Sequence, residues 1–348
     1  MENRADIRAL TLQQLQDFFI AQGDKKYRAQ QVYDWLWKHA ATQFESMNNL
    51  SKPQIEMLQK HFVINNVTVE TKQVSNDRTI KNAFKLYDGN VVEGVLIPTE
   101  TRMTACVSSQ VGCSLTCKFC ATGKLDRVRN LNADEIFDQV AIIKQQAETH
   151  YQMPLSNIVY MGMGEPLLNY ANVLKSIAHI TSQQGLNMAP KRITVSTAGI
   201  AKMIHKLGDD QVKFNLALSL HAANDKKRDQ IMPINEHNNL EVLKTALQYF
   251  YNKTRNAITL EYIVFNNFND SLEDAHQLWT FSKAVPCKIN LIEYNPIDGG
   301  SFINAVEDRM YAFQQFLLQK GLIVNMRRSR GKDIDAACGQ LANKSLKN

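Results

Sequence analysis

Three thiols crowd into eight residues, Cys113-Ser114-Leu115-Thr116-Cys117-Lys118-Phe119-Cys120, as a C-x3-C-x2-C run. Thiolates are soft ligands that suit zinc and iron–sulfur clusters. Structural zinc takes four ligands, often as two C-x2-C pairs set far apart. Here three ligands share one tight loop that holds no His. On a [4Fe–4S] cube, three protein thiolates leave one iron without a protein ligand, and that open position is a place for chemistry. Two other readings of the spacing stand beside it: a zinc knuckle that borrows Cys106 or Cys338 as fourth ligand, and three unligated thiols.

A second group has the composition of a ligand rim. In Gly162-Met163-Gly164-Glu165-Pro166, glycines let backbone approach a ligand closely, and Glu165 is suited to an ammonium partner. A tight strand-to-helix turn explains the same residues. Ser196, Ser219-Leu220-His221 and Asn295 each end a predicted strand, and each alone is an ordinary structural residue. Cys106 and Cys338 lie outside the loop, and a free cysteine commonly behaves as a small buried hydrophobe. Cys287, inside a predicted strand, reads as core. Glu93, in Val92-Glu93-Gly94-Val95-Leu96-Ile97-Pro98, reads by itself as a solvated strand residue.

The elements that must position these groups follow from periodicity. Helices are expected from Thr11 to Gln22, Arg28 to His39 and Lys52 to His61, a small helical domain over 1–65. Extended segments Val67–Val74, Ile80–Leu86 and Val91–Ile97, the last two joined at Asp88-Gly89, form a β extension over 66–102. From 103 to 325 strands at 103–108, 156–161, 191–196, 213–219, 258–265 and 287–293 alternate with helices at 132–149, 170–183, 199–207, 238–252, 270–283 and 304–320. Alternation of this kind implies an α/β fold with a parallel sheet and right-handed crossovers. Six units fall short of a closed eightfold barrel, so a partial (β/α)6 barrel is expected. Ligands of such folds bind at the carboxyl ends of the strands, where the cysteine loop, the glycine run, Ser196, His221 and Asn295 all fall. Residues 326–348 form a basic tail.

Composition narrows the setting. At 44% hydrophobic and 21% charged the chain is an ordinary globular mix. Dense apolar stretches such as Phe214 to Leu220 fall far short of the roughly 20 residues of a membrane span. The polar start Met1-Glu2-Asn3-Arg4 has no apolar signal region, so a cytoplasmic protein without a membrane is expected, with clustered rather than disulfide-paired cysteines. The net charge is +6, and the tail alone sets six basic residues against two acidic ones. Arg127, Arg129, Arg327, Arg328, Arg330 and Lys332, with Lys25, Lys26 and Arg28, are candidates for phosphate contacts, and Lys344 and Lys347 add to the tail's charge.

C-x3-C-x2-C after the first strand of a partial barrel, with the aromatic Phe119 before its last cysteine, resembles the radical S-adenosylmethionine (SAM) superfamily. Glu93, the Cys106 run, Gly-Met-Gly-Glu-Pro and the Cys338 run narrow the resemblance to the RlmN/Cfr family of RNA methyltransferases, over about residues 90–341. That resemblance implies a [4Fe–4S] cluster on Cys113, Cys117 and Cys120, and SAM held by Gly164, Glu165, Ser196, Ser219, Leu220, His221 and Asn295. It implies methylation of C2 of an adenosine in 23S rRNA and of adenosine 37 in tRNA, with two SAM per turnover. Cys338 carries the methyl group, Glu93 is the base, and Cys106 resolves the adduct through a transient Cys106–Cys338 disulfide, so a mobile tail is expected. Partners are the two RNAs and a reducing electron donor, for a monomeric enzyme. The Cfr branch acts at C8 of the same rRNA adenosine, and a zinc-stabilised RNA-binding protein without catalysis is the alternative from another class.

Overall fold

The structure, a computed structural model, describes residues 4–343; Met1, Glu2, Asn3, Lys344 and Lys347 lie outside the described residues. The chain opens with a two-residue strand β1 (Ala5–Asp6), then α1 (Leu12–Ala21), α2 (Tyr27–Trp37), α3 (Lys52–His61) and β2 (Phe62–Val63), which pairs parallel with β1. Thr11 and Ser51 start α1 and α3 with capping boxes closed by Gln14 and Gln54, the arrangement that satisfies the free N–H groups of a helix start. Leu15, Phe19, Val32, Leu36 and Leu58 turn inward. This unit is bolted to the rest by Arg8, which is 2% exposed and meets Asp138 at 2.7 Å and Asp134 at 3.3 Å. Trp37 also stacks flat on His179, ring centroids 3.6 Å apart.

Three antiparallel strands follow, β3 (Thr68–Val74), β4 (Ile80–Lys85) and β5 (Val91–Pro98), and β6 (Met103–Cys106) continues the same sheet. The short pair β7 (Gln110–Val111) and β8 (Arg129–Asn130) closes the base of the cysteine loop. Then come α4 (Ala133–Tyr151), β9 (Asn157–Tyr160), α5 (Tyr170–Thr181), β10 (Ile193–Thr197), α6 (Ala201–Asp209), β11 (Asn215–Ser219), α7 (Asp225–Ile231), α8 (Leu240–Thr254), β12 (Ile258–Val264), α9 (Leu272–Ser282), β13 (Cys287–Glu293), α10 (Glu307–Gln319) and β14 (Val324–Arg327). They build one ten-stranded sheet in the order β14-β13-β12-β11-β10-β9-β6-β5-β4-β3.

From β6 to β14 every pairing is parallel. All seven residues of β12 are buried, as expected of a strand covered on both faces. The outer strands β3 and β14 do not pair with each other among the described residues, so the barrel stays partial and open. The expected α/β architecture is therefore found, with two elements that periodicity had not revealed. One is α7, whose charged Asp225-Lys226-Lys227-Arg228 run carries no apolar stripe and is started by an Asn224 cap. The other is β14, a seventh parallel strand of four residues with only Val324 buried, too short to show an alternation.

Candidate active site

The cysteine loop is set by backbone constraints at both ends. At its start Gly112 has φ 74°, and a Cβ there would stand 2.0 Å from the Asp126 carbonyl oxygen, so only glycine fits. The Lys118 N–H donates to Ile231 O at 3.0 Å, and the Ala121 N–H to Gly339 O at 2.7 Å. Cys113, Cys117 and Cys120 all line one cleft. Burial pushes the Cys113 thiol up to about 11 and raises Cys117 and Cys120 as well, and mutual repulsion adds to it. Three half-buried thiols that resist ionisation side by side suit a cationic centre, which would hold them as thiolates. Among the described residues no three His, Cys, Asp or Glu side chains converge on a single-ion site.

The facing wall carries the rim residues. The glycine run ends β9. A Cβ on Gly162 would meet Ser108 Oγ at 2.6 Å, and one on Gly164, at φ 95°, would meet Gln110 Cβ at 2.5 Å. This is a cradle closed to side chains. Glu165 lies beside it, 3% exposed, taking the N–H groups of Ala198 at 2.7 Å and Leu167 at 3.0 Å. Burial raises its carboxyl to about 7. A ligand ammonium would relieve that cost. Ser196 Oγ and Ser219 Oγ, at the ends of β10 and β11, stand 3.3 Å apart on the same wall. His221 is neutral, because burial lowers it to about 3. Its Nδ1 accepts the Ile263 N–H at 3.1 Å and its ring meets Phe119 edge-on, leaving Nε2–H as its donor toward the cleft.

Asn295 does not line the cleft itself. Its Nδ2 donates to Cys338 O at 3.2 Å, while its buried Oδ1 has no partner. The Leu220 side chain is buried in the core; its N–H donates to Glu261 O and its carbonyl accepts from Arg228.

Cys338 is exposed and lines the cleft with Gly339. Cys106 lies behind it at the end of β6, 7% exposed. Burial, with the neighbouring Cys338, pushes its thiol up to about 12, against the pull of Arg327. Glu93 on β5 is fully buried. Its Oε2 accepts the Ala342 N–H at 2.8 Å, and its Oε1 lies 3.5 Å from Lys81 Nζ with no hydrogen bond. The described tail is thus docked by several bonds, including Thr122 Oγ1 to Leu341 O at 2.7 Å, where a mobile segment had been expected.

Several site residues escaped sequence reasoning. Arg228 is fully buried and bonds to Ala198 O at 2.6 Å, Asn235 Oδ1 at 2.7 Å and Leu220 O at 3.2 Å. It staples two strand ends to Asn235 beside the cleft and puts a positive charge near Cys117. Glu261 and Arg327 line the cleft together, 3.4 Å apart. No motif marks Arg228 or Glu261, and Arg327, expected among the phosphate contacts, turns instead to Glu261 in the cleft. Of the basic candidates, Arg129 is taken up by Glu135 at 2.7 Å and Asp88 at 2.5 Å, and Lys332 by Glu293 at 2.8 Å. Arg127, Arg328, Lys25 and Lys26 are exposed.

Comparison with known proteins gives this arrangement its relatives. Residues 5–64 match the family model of the ribosomal RNA large subunit methyltransferase N-terminal domain, and residues 107–278 that of the radical SAM superfamily. The chain is 63% identical to a probable dual-specificity RNA methyltransferase RlmN of Cytophaga hutchinsonii, over 98% of this chain and 93% of that one. The chain belongs to the RlmN family. A Geobacter sulfurreducens dual-specificity RNA methyltransferase RlmN is 42% identical over 99% of this chain and 94% of its own. The crystal structure of a radical SAM methyltransferase from Sphaerobacter thermophilus superposes with a TM-score of 0.91 at 35% identity, covering 97% of this chain and 99% of that chain. Membership of the radical SAM superfamily implies SAM and an iron–sulfur cluster. The donor set fits both: three half-buried thiols lining one cleft for the cluster, and for SAM a glycine cradle and the buried Glu165 carboxylate. No helix among the described residues is long and apolar enough to cross a membrane.

Proposed function

We infer that this RlmN-family chain methylates C2 of an adenosine in 23S rRNA and of adenosine 37 in tRNA. The observation that carries the reading is one cleft with the three-cysteine loop and the Glu165 rim lining it, Cys338 at its edge and Cys106 behind. Adenine C2 lies between two ring nitrogens and has no lone pair to attack a methyl sulfonium, so polar transfer from SAM fails there. A [4Fe–4S] cluster held by Cys113, Cys117 and Cys120, with SAM held by Gly164, Glu165, Ser196, Ser219 and His221, would supply one-electron chemistry able to make a carbon radical.

The remaining work falls to the chain's own groups. Cys338 Sγ accepts a methyl group by displacement. After hydrogen abstraction its methylene carbon bonds to C2 of the adenine. Glu93 takes the C2 proton, and the one electron that the adduct must also lose would be accepted by the cluster. A buried carboxylate with one oxygen free of hydrogen bonds is suited to that task. Cys106 Sγ, as the thiolate, then attacks Cys338 Sγ and forms the disulfide; the methylene carbon leaves with the bonding pair, delocalised into the adenine ring, and takes a proton to become the methyl group. While Cys338 is an alkylated, neutral sulfur, its charge no longer opposes ionisation of Cys106, and Arg327 favours it. An external reductant must reopen the disulfide and feed the cluster. The adenine must leave its stack to reach the cleft, with exposed Arg127, Arg328, Lys25 and Lys26 available to phosphates.

The test is anaerobic reconstitution with iron and sulfide, then reaction with SAM, a reductant and protein-free 23S rRNA, read by nucleoside mass spectrometry. 2-Methyladenosine is expected. 8-Methyladenosine would move the reaction to the other carbon, and bound zinc with no methylated nucleoside would sink the enzymatic reading.

A further inference from the structure

The two edges of the ten-stranded sheet, β3 and β14, meet at one place outside the sheet. The turn between β3 and β4 lies against the segment that follows β14. One carboxylate oxygen of Asp333 accepts the Ser75 hydroxyl at 2.5 Å, and the other accepts the Asn76 N–H at 3.1 Å. In return Asp77 accepts the Gly331 N–H at 2.9 Å on one oxygen and its own turn's Thr79 N–H at 3.0 Å on the other. Gly331 has φ 66°, and a Cβ there would stand 2.7 Å from Ala336 Cβ and 3.0 Å from Thr79 Cγ2, so the fit needs glycine. From the opposite side Glu293, at the end of β13, accepts the Ser329 N–H at 3.2 Å and pairs with Lys332 at 2.8 Å. Both aspartates sit below the usual carboxylate range. For Asp77, burial opposes this but the hydrogen bonds outweigh it; for Asp333, the Ser75 bond leads.

Cys338 follows Asp333 by five residues and precedes a second set of anchors. The Ala121 N–H holds Gly339 O at 2.7 Å, and the Ala342 N–H holds Glu93. The cysteine therefore rides on a short bridge fastened at both feet, not on a free tail. We propose that the β3–β4 turn is a clasp, in which Asp77 and Asp333 are positioning residues that fix the near foot of this bridge and so set where the Cys338 sulfur stands in the cleft. The consequence for turnover rests on Cys338 being the methyl carrier. Its sulfur must present itself in turn to a methyl donor, an adenine carbon and Cys106, and misplacement of a reacting atom by about 1 Å can cost on the order of a hundredfold in rate. Holding only the far foot would widen the space the sulfur samples without touching the cleft walls.

The experiment uses the cluster-loaded protein with Cys338 unmethylated, as Asp77→Ala, Asp333→Ala, Asp333→Asn and Ser75→Ala. The last removes one hydroxyl and guards against a folding defect. Alkylation of Cys338 by iodoacetamide is timed by peptide mass spectrometry without RNA or SAM, with Cys287 as the internal reference. RNA methylation is measured as kcat and KM on the same samples. Opening the clasp should speed Cys338 alkylation roughly tenfold, the scale of one hydrogen bond to a charged acceptor. It should lower kcat about as much while KM for RNA stays within about twofold, the pattern of lost positioning and not of lost binding. Asp333→Asn keeps one of the two acceptor oxygens and loses the charge, so it should fall between wild type and Asp333→Ala. Unchanged Cys338 alkylation in both alanine variants would overturn the clasp, and faster alkylation with unchanged kcat would overturn its positioning role. Faster alkylation in a protein whose wild type methylates no RNA would leave the clasp standing and remove the methyl-carrier reading instead.

Discussion

Gly164→Ala isolates the ligand cradle from everything around it. The residue has φ 95°, and an added Cβ would meet Gln110 at 2.5 Å (Cβ), 2.7 Å (Cγ) and 2.9 Å (backbone N). A non-glycine residue in that backbone region costs about 1–3 kcal/mol. Gln110 is fully buried and its Oε1 accepts the Glu165 N–H at 2.8 Å; moving it forfeits about 1 kcal/mol more. The sum is about 2–4 kcal/mol. Unfolding entropy near 2.1 cal/mol/K per residue makes about 0.7 kcal/mol/K for 348 residues, so the melting temperature should fall by roughly 3–6 °C. Gly321→Ala is the matched control. It has φ 79° and nothing within 4 Å, so it bears the backbone cost alone, and its melting temperature should fall by about 1–4 °C. The assay pairs calorimetry with equilibrium dialysis of SAM on cluster-loaded protein. Gly164→Ala should weaken SAM binding at least tenfold, because Glu165 shifts with Gln110, and Gly321→Ala should leave it unchanged. Equal melting temperatures for the two variants, or full SAM affinity in Gly164→Ala, would refute the close-approach argument.

Four further outcomes follow from the same geometry. Glu165→Gln removes the charge offered to an ammonium and should weaken SAM binding by about 1.5–3 kcal/mol by dialysis, the scale of a charged hydrogen bond. Cys106→Ala should accumulate a covalent protein–RNA species on denaturing gels, whereas Cys338→Ala should give neither adduct nor methylated nucleoside and keep its iron content; full turnover in either would end the two-cysteine scheme. Arg8→Met leaves Asp134 and Asp138 buried without their cation and should destabilise by about 3–5 kcal/mol in denaturant melts. The same variant should also change the pH dependence. Burial already raises Asp134 to about 6, with Arg8 pulling it down. A raised acid favours the folded state at low pH and loses that contribution as pH rises through its folded value. Arg8→Met should therefore lose more stability than wild type between about pH 4 and 7.

What could be read from the chain depended on where each residue's partners lie. The cysteine loop, the glycine run and the strand-end positions of Ser196, Ser219 and His221 are local patterns, because a parallel α/β sheet brings successive strand ends to one rim. Family membership was legible for the same reason. Glu93 is different. Its strand lies between β4 and β6 within the sheet, and a buried lysine from β4 faces it, so its burial depends on a neighbour twelve residues upstream by sequence and on the tail. Arg228 is more hidden still. It sits in a helix with no apolar stripe, and its partners are carbonyls from two strand ends and an asparagine. No spacing rule connects such residues before the chain is folded.

The tail shows how the same dependence bears on the chemistry. From sequence alone, a reactive cysteine in a short basic segment after the last predicted helix invites a flexible arm. In the fold the Cys338 carbonyl is held by Asn295, Gly339 by Ala121, Leu341 by Thr122, and Ala342 by Glu93. Yet Cys338 itself stays exposed at the cleft while Cys106 stays buried behind it. The attachments run through the backbone and leave the sulfur out, which is what a carrier needs: a fixed origin and a free reacting atom. The Glu93 contact adds a coupling. The carboxylate that faces Lys81 on one oxygen is tied on the other to the segment just beyond Cys338. Any displacement of the cysteine that pulls residue 342 must therefore alter the surroundings of Glu93 at the same time.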